Sequence, residues 1–293
     1  MKIIVGIPAY NEQKNIASII IKLKKNVNEI IVCDDGSSDD TNEIAKELGA
    51  SVIQHKKNLG YGASIKSIFL KAKEMKADIL VTFDADGQHR VKDIENIIDP
   101  IQKNEADVVI GSRFLNQESN MPKYRKIGIK TITGITNKTL GQKLSDSQSG
   151  FRAYNKKALT DIVPVETGMG ISTEILIKAS KNNLRIKEVP IVVLYEGDTS
   201  THNPVSHGAS VIFSTIKFTS IEHPIKFYGV PGISFLILGL IFIFWTLQLF
   251  SESGTIVTNV SLIGIGSIVI GIVLMVTATI LYSIISVVRE QSK

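Results

Sequence analysis

Two aspartates, Asp84 and Asp86, follow directly on the apolar run Val81-Thr82-Phe83. In an extended segment residues i and i+2 point the same way, so the two carboxylates can converge on one cation. Carboxylate oxygens joined by diphosphate oxygens make an all-oxygen set suited to Mg²⁺ or Mn²⁺, and such an ion neutralises charge on a departing nucleoside diphosphate. The plainer alternative is a pair of surface aspartates in a turn, and the apolar strand that aims them speaks against it. Three further polar clusters stand out: Pro8-Ala9-Tyr10-Asn11-Glu12, Asp34-Asp35-Gly36-Ser37-Ser38-Asp39 and Asn58-Leu59-Gly60-Tyr61-Gly62. Adjacent carboxylates such as Asp34 and Asp35 can accept hydrogen bonds from a base N–H and a ribose hydroxyl. Equally, Asp35–Asp39 can be a turn and a helix cap. The glycines of the third cluster let backbone come close to a ligand.

Each cluster directly follows a short apolar run. Lys2–Ile7, Glu29–Cys33, Ser51–Ile53, Asp78–Phe83 and Asp107–Ile110 read as strands. Between them, Gln13–Lys25, Asp40–Leu48, Ala63–Lys76 and Val91–Lys103 carry helical spacing; in the first, Ile16, Ile19, Ile20 and Leu23 form one apolar face. Ser38 or Asp39 is the expected N-cap of the second helix. This alternation predicts βαβ units, an α/β fold and a mainly parallel sheet. Ligands of such sheets bind beyond the carboxyl ends of the strands, where the four clusters fall.

The series Ile7-Pro8-Ala9-Tyr10-Asn11-Glu12, Val32-Cys33-Asp34-Asp35-Gly36-Ser37, Asn58-x-Gly60 and Phe83-Asp84-Ala85-Asp86-Gly87-Gln88 resembles the family-2 glycosyltransferases of the GT-A fold. Gly111-Ser112-Arg113-Phe114 and Asp146-Ser147-Gln148-Ser149-Gly150-Phe151-Arg152 resemble the branch that holds the dolichyl-phosphate mannose synthases. The resemblance covers roughly residues 2–210. It implies that Asp34 and Asp35 hold the nucleoside, and that Asp84, Asp86 and Gln88 hold the metal and diphosphate. Pro8, Tyr10, Glu12, Asn58, Gly60, Ala85, Arg152 and His207 would complete the donor pocket. Arg113 and a basic residue within Lys123–Lys126, foremost Arg125, would hold an acceptor phosphate, and Asp146 with the Ser149–Arg152 loop would border the sugar. The Gln-x-x-Arg-Trp motif of processive synthases is absent; the one tryptophan, Trp245, lies in an apolar run near the C-terminus.

A sugar hydroxyl needs a general base to become a good nucleophile, whereas a lipid monophosphate is already an anion at neutral pH. Arg113, Arg125, Lys126 and Arg152 can supply its cationic pocket, arginine being the better phosphate fork. The turn-rich segment from Tyr195 to Gly208, with His202 and His207, is expected to cover the donor or else to be a solvated linker. Glu174 is a candidate base for a hydroxyl acceptor, though a structural role suits a helix residue better. The expected reaction is one in-line, inverting displacement. Its alternatives are transfer to a sugar hydroxyl of a lipid- or protein-linked glycan, and a non-catalytic nucleotide-sugar binder. The donor is open among GDP-mannose, UDP-glucose and UDP-N-acetylhexosamine.

Of 33 Lys and Arg only Arg289 and Lys293 follow Lys226, and of 28 Asp and Glu only Glu252 and Glu290 do. Tyr228–Phe250 carries no charge over 23 residues, which as a helix spans about 34 Å against a hydrocarbon core of roughly 30 Å. Thr255–Val288 is likewise uncharged, and only Ser251–Gly254 separates the two runs. The organisation expected is a GT-A catalytic domain over 1–204, an amphipathic juxtamembrane segment over 205–226, and two transmembrane helices within 227–288, at about 228–250 and 258–286. Lys217 and Lys226 precede the hairpin and Arg289 and Lys293 follow it, while its tip has Glu252 and no Lys or Arg. By the positive-inside rule the large domain and both termini are expected on the cytoplasmic face of the cell membrane. Cys33 is the only cysteine, which excludes an intrachain disulfide. The short apolar run Ile3–Ile7 ends at Pro8 and does not resemble a signal peptide. The net charge of +5 suits anionic substrates or an anionic membrane surface, without a basic run dense enough for nucleic acid.

Overall fold

In the computed structural model, which describes residues 1–115, 121, 123–193, 220 and 224–291, the first apolar run is the strand β1 (Ile3–Ala9). Its side chains alternate between two cores, as the two-residue strand period requires. Val5 and Ile7 join one, with Ile16, Ile20 and Leu23 of α1 (Ile16–Leu23) and Ile94, Ile97 and Ile98 of α4 (Ile94–Gln102). Ile4 joins the other, with Ile65, Ile68 and Phe69 of α3 (Tyr61–Glu74), Leu159 of α6 (Lys156–Asp161), and Ile171 and Ile175 of α7 (Ile171–Lys181). Helices therefore cover both faces of the sheet, and its inner strands are mostly apolar.

The remaining strands are β2 (Glu29–Asp34), β3 (Ser51–Gln54), β4 (Ile79–Thr82), β5 (Val108–Ser112), β6 (Arg152–Asn155) and β7 (Ile186–Pro190), in the spatial order β3-β2-β1-β4-β6-β5-β7. β1 is parallel to both β2 and β4, and β6 is antiparallel to its neighbours β4 and β5. After three strands running outward from β1, the chain returns to place β4 on β1's other side. That reversal opens a crevice between the carboxyl ends of β1 and β4, the place where ligands bind in such sheets. The α/β expectation holds, including every strand and helix anticipated up to residue 110. One helix start differs: the N-cap of α2 (Thr41–Glu47) is Asp40, and Asp39 instead accepts the Thr41 N–H at 3.1 Å.

The described residues separate near residue 215 into two compact units. In the second, a π-helical turn, Ile225–Gly229, leads into α8 (Val230–Ser253), and α9 (Thr258–Gln291) follows. Ile225–Ser253 and Thr258–Val287 are each long and apolar enough to cross a membrane, and most of their side chains are exposed. A soluble core helix hides such side chains. Gly254, at φ +63°, ends α8 in the left-handed conformation and donates its N–H to the Phe250 carbonyl. The two helices meet along small residues every seventh position, Gly232 and Gly239 on α8 and Gly264 and Gly271 on α9. A Cβ on Gly239 would lie 2.8 Å from the Gly264 carbonyl oxygen, so these glycines set how closely the backbones pack.

Candidate active site

The first three polar clusters fold into one floor at the carboxyl edge of the sheet. Asn11 takes φ +56°, a left-handed value that asparagine tolerates, and its N–H donates to Ser37 Oγ at 2.9 Å. The Ser38 N–H returns a bond to Asn11 Oδ1, and the Glu12 N–H donates to Thr41 Oγ1. Gly36, at φ +74°, lies so close to the chain at Lys57 and Asn58 that a Cβ would sit 2.7 Å from the Lys57 carbonyl carbon. Asp35 accepts bonds from the Leu59 and Gly60 N–H groups at 3.0 and 2.8 Å and lies 2.6 Å from His55 Nδ1. The far nitrogen of His55 meets Ser67 Oγ at 2.9 Å. His55 has no counterpart in the sequence analysis: it is a single polar residue after an edge strand, without a pattern around it.

The side chain of Asp34, the last residue of β2, lies inside the loop that follows. It is 0% exposed and accepts from the Ser37 N–H and Asn42 Nδ2, both at 3.1 Å. Its carboxylate shapes the loop. Asp35 is also buried, with three protein donors around it. Pro8 and Ala85 are buried at the strand ends, while Tyr10 and Asn58 stand exposed at the rim. Gly60 takes φ +99° under the Thr167 carbonyl, where any side chain would collide.

The acidic pair sits across the crevice, just past β4. Asp84 Oδ1 accepts from the Tyr61 hydroxyl at 3.1 Å, and Oδ2 lies 3.2 Å from His89 Nε2. Asp86 Oδ1 accepts the Gln88 N–H at 3.0 Å. The His89 ring is wedged between Phe83 and Phe151, with centroids 5.6 and 5.0 Å away. Burial works to raise both carboxyls. At Asp84 it is outweighed by His89, by the Tyr61 bond and by the charge of Arg113, so that carboxyl ends below its usual range. At Asp86 burial and the neighbouring Asp84 charge win over His89, the Gln88 bond and Arg125, and the carboxyl is raised. Burial and the charges of Asp86, Asp39 and Asp84 likewise raise Glu12, against the bond from Asn15. A bound cation would relieve this crowding of negative charge. Among the described residues no group of three or more His, Cys, Asp and Glu side chains could hold a metal. Two carboxylates at a crevice suit an ion that takes its other ligands from a substrate's oxygens or from water, as Mg²⁺ and Mn²⁺ do at phosphates.

Gly150 closes over Asp84. A Cβ there would lie 2.6 Å from both Asp84 Oδ2 and the Tyr61 hydroxyl, and the Gly150 carbonyl accepts from Thr82 Oγ1 at 2.6 Å. Arg152 holds this loop from beneath. It is 1% exposed, and its nitrogens donate to the carbonyls of Ser149, Ser172 and Ser147 at 2.7–2.9 Å. Arg152 therefore ties the Ser147–Ser149 loop to the start of α7. Arg113 is gripped by the buried Asp146, Nε to Oδ2 at 2.6 Å and Nη2 to Oδ1 at 2.8 Å. Glu188 fixes that loop through the N–H groups of Ser145 and Asp146. Arg125 lies in the first turns of α5 (Lys123–Leu140), near enough for its charge to act on Asp86. Glu174 is spent on structure: it accepts the Val165 and Glu166 N–H groups and pairs with Lys178 at 2.6 Å. It is not a free base. His202, His207 and the segment Tyr195–Gly208 lie outside the described residues.

A doubly wound, mostly parallel sheet with this acidic pair at its switch point is the GT-A form of a nucleotide-sugar transferase. The chain belongs to Glycosyl transferase family 2, whose profile matches residues 4–163. It is similar to the UDP-N-acetylglucosamine–dolichyl-phosphate N-acetylglucosaminyltransferase of Methanococcus voltae, 40% identical over 64% of this chain and 84% of the relative. It is also similar to a dolichyl-phosphate hexose transferase of Haloferax volcanii, 30% identical over 71% of this chain and 90% of that one. Such relatives support the dolichyl-phosphate sugar transferase branch and a hexosyltransferase. Among solved structures, glucosyl-3-phosphoglycerate synthase of Mycobacterium tuberculosis, in complex with Mn²⁺, UDP and glucosyl-3-phosphoglycerate, has the same fold. The TM-score is 0.59 at 22% identity, over 74% of this chain and 79% of that one.

Proposed function

We propose that this protein transfers a hexosyl or N-acetylhexosaminyl group from a GDP- or UDP-linked sugar to a membrane polyprenyl phosphate, with inversion, on the cytoplasmic face of the membrane. The observation that carries the reading is the acidic pair at the β1/β4 crevice, with Asp84 held by Tyr61 and His89 and overlain by Gly150. Asp84, Asp86 and Gln88 would hold Mg²⁺ or Mn²⁺ against the diphosphate. The ion's contribution there is to offset charge on the leaving nucleoside diphosphate. Asp35, Tyr10 and Asn58 would receive the nucleoside in the floor built by Asp34, Gly36 and His55. Asp146 orients Arg113, so that Arg113 and Arg125 can place the lipid phosphate on the far side of the anomeric carbon. Positioning and electrostatics then supply most of the rate, because the acceptor oxygen is already anionic. The occupation of Glu174 by backbone donors favours this acceptor over a sugar hydroxyl. A catalytic unit of residues 1–204, a juxtamembrane segment 205–226 and an anchoring hairpin 227–288 complete the organisation. The two spans would carry the chain in the bilayer, with the basic flanks on the cytoplasmic side.

Two variants test the assignment in purified membranes. Asp86→Ala should lower turnover by at least about 10³-fold while leaving membrane insertion intact, in line with loss of several kcal/mol of transition-state stabilisation. Turnover within a few-fold of the parent would remove Asp86 from the metal site. Arg125→Ala should raise KM for polyprenyl phosphate by about 10-fold or more with the donor KM nearly unchanged, the loss of one charge-assisted phosphate contact. Equal losses on both substrates would reassign it.

A further inference from the structure

The helix α5 carries more positive charge than phosphate binding at its N-terminal end uses. From Lys123 to Lys143 the sequence has six Lys and Arg and no Asp or Glu. Ile132, Thr133 and Thr136 are buried on the inner side of the helix. The opposite side sets Ile127, 66% exposed, and Ile135, 37% exposed, among Lys126, Lys130 and Lys138. At 100° per residue, Ile127, Thr131, Gly134 and Lys138 fall within one narrow outer stripe, with Lys130 and Ile135 flanking it. The loop after β5 extends this surface: Lys130 Nζ stands 6.0 Å over the Phe114 ring, and the next residue, Leu115, is 47% exposed. Large exposed aliphatics interleaved with cations, free of any acid, are the composition of a helix that lies in a lipid interface. A solvated helix face carries charges of both signs and few aliphatics.

We propose that the outer face of α5, together with Leu115, docks on an anionic lipid surface. Ile127, Ile135 and Leu115 enter the headgroup region, while Lys130 and Lys138 meet lipid phosphates. The inference rests on the reading that the chain is a bilayer enzyme, and it adds a second, electrostatic attachment to the catalytic unit. Because α5 also bears Arg125, seating its outer face on lipid would hold the acceptor-phosphate site at headgroup depth. The charge complementarity selects anionic headgroups over a neutral bilayer or a second copy of this chain, whose matching surface would be equally positive.

The test uses the full chain in vesicles of phosphatidylcholine, with and without phosphatidylglycerol. Cys33 is buried and its thiol is pushed up to about 12 by burial, so it stays unlabelled beside an introduced cysteine. An environment-sensitive fluorophore is placed at Ile127→Cys, and at Leu70→Cys on α3 as the exposed control. Lipid-borne spin quenchers should quench the probe at 127 at least two-fold more than that at 70 in the anionic vesicles. The difference should shrink without phosphatidylglycerol, in high salt, and in the Lys130→Glu/Lys138→Glu variant, which should keep its donor KM. Equal quenching at 127 and 70, or quenching at 127 independent of lipid charge, overturns the proposal. Shielding at 127 that grows with protein concentration in detergent overturns it in favour of a second copy. Failure of the chain to float with vesicles would instead strike the bilayer reading beneath it.

Discussion

At the scale of single residues, the site is a set of carboxylates whose surroundings have been divided into two kinds. Asp34 and Glu174 are buried and saturated by protein donors, and they hold backbone in place. Asp84 and Asp86 are partly exposed and crowd one another's charge at the crevice. Sequence alone distinguishes these two kinds poorly. Asp34-Asp35 and Asp84-x-Asp86 both follow apolar strands, and nothing in residue type tells which carboxylate meets a backbone N–H and which meets solvent. The same limit applies to Arg152, which bonds the carbonyls of its own preceding loop and of Ser172 on α7, a partner that only folding brings near. Tyr61 and His89, which clamp Asp84, were visible as letters within their clusters and had no assigned part. Gly150 is the glycine packed directly on the acidic pair. Gly150→Ala would push a methyl group into Asp84 and the Tyr61 hydroxyl, so kcat/KM should fall by about 10-fold or more, or ~1.4 kcal/mol, with the fold retained by circular dichroism. An unchanged kcat/KM would mean that the loop is not packed on Asp84 during turnover.

At the scale of elements, strands and helices up to residue 110 were legible because apolar runs alternate cleanly with helical spacing. Legibility then faded. The antiparallel strand β6 is only four residues, Arg152–Asn155, beginning with the buried Arg152 and ending with an asparagine that caps α6. α5 has a weak apolar stripe, its inner face being partly threonine. The edge strand β7 is tied to β5 at their entry by Asp107, which accepts from the Arg185 N–H and guanidinium at 2.8–3.1 Å. Those Arg185 bonds, opposed by burial, lower the Asp107 carboxyl to about 2. A depressed carboxylate contributes stability above its unfolded pKa of about 3.9, and loses it as pH falls towards the folded value. Asp107→Asn should therefore lower Tm of the full chain in detergent by about 2–4 °C at pH 7, the size expected for ~1 kcal/mol from a pair with an exposed arginine. The gap should close below pH 4 or so, within the window from about 3.9 to about 2. A gap that stays constant down to low pH would mean the effect comes from packing rather than charge.

At the scale of the whole molecule, the composition of the chain divides its labour. One unit carries nearly all the charge and the crevice, and the other carries two helices charged only at their ends, whose apolar side chains remain exposed. The seven-residue spacing of glycines that joins those helices was not extracted from the sequence, because two apolar runs give no sign of which faces meet. The division suits a donor that is soluble and an acceptor that is not. The most direct measurement is transfer of labelled sugar to polyprenyl phosphate by the purified full chain, across GDP-mannose, UDP-glucose and UDP-N-acetylglucosamine, with and without EDTA. The account predicts a labelled lipid phosphate of inverted anomeric configuration with one class of donor, lost on chelation and restored by Mg²⁺ or Mn²⁺. Undiminished transfer in EDTA, retained configuration, or label appearing only on a sugar hydroxyl would contradict it.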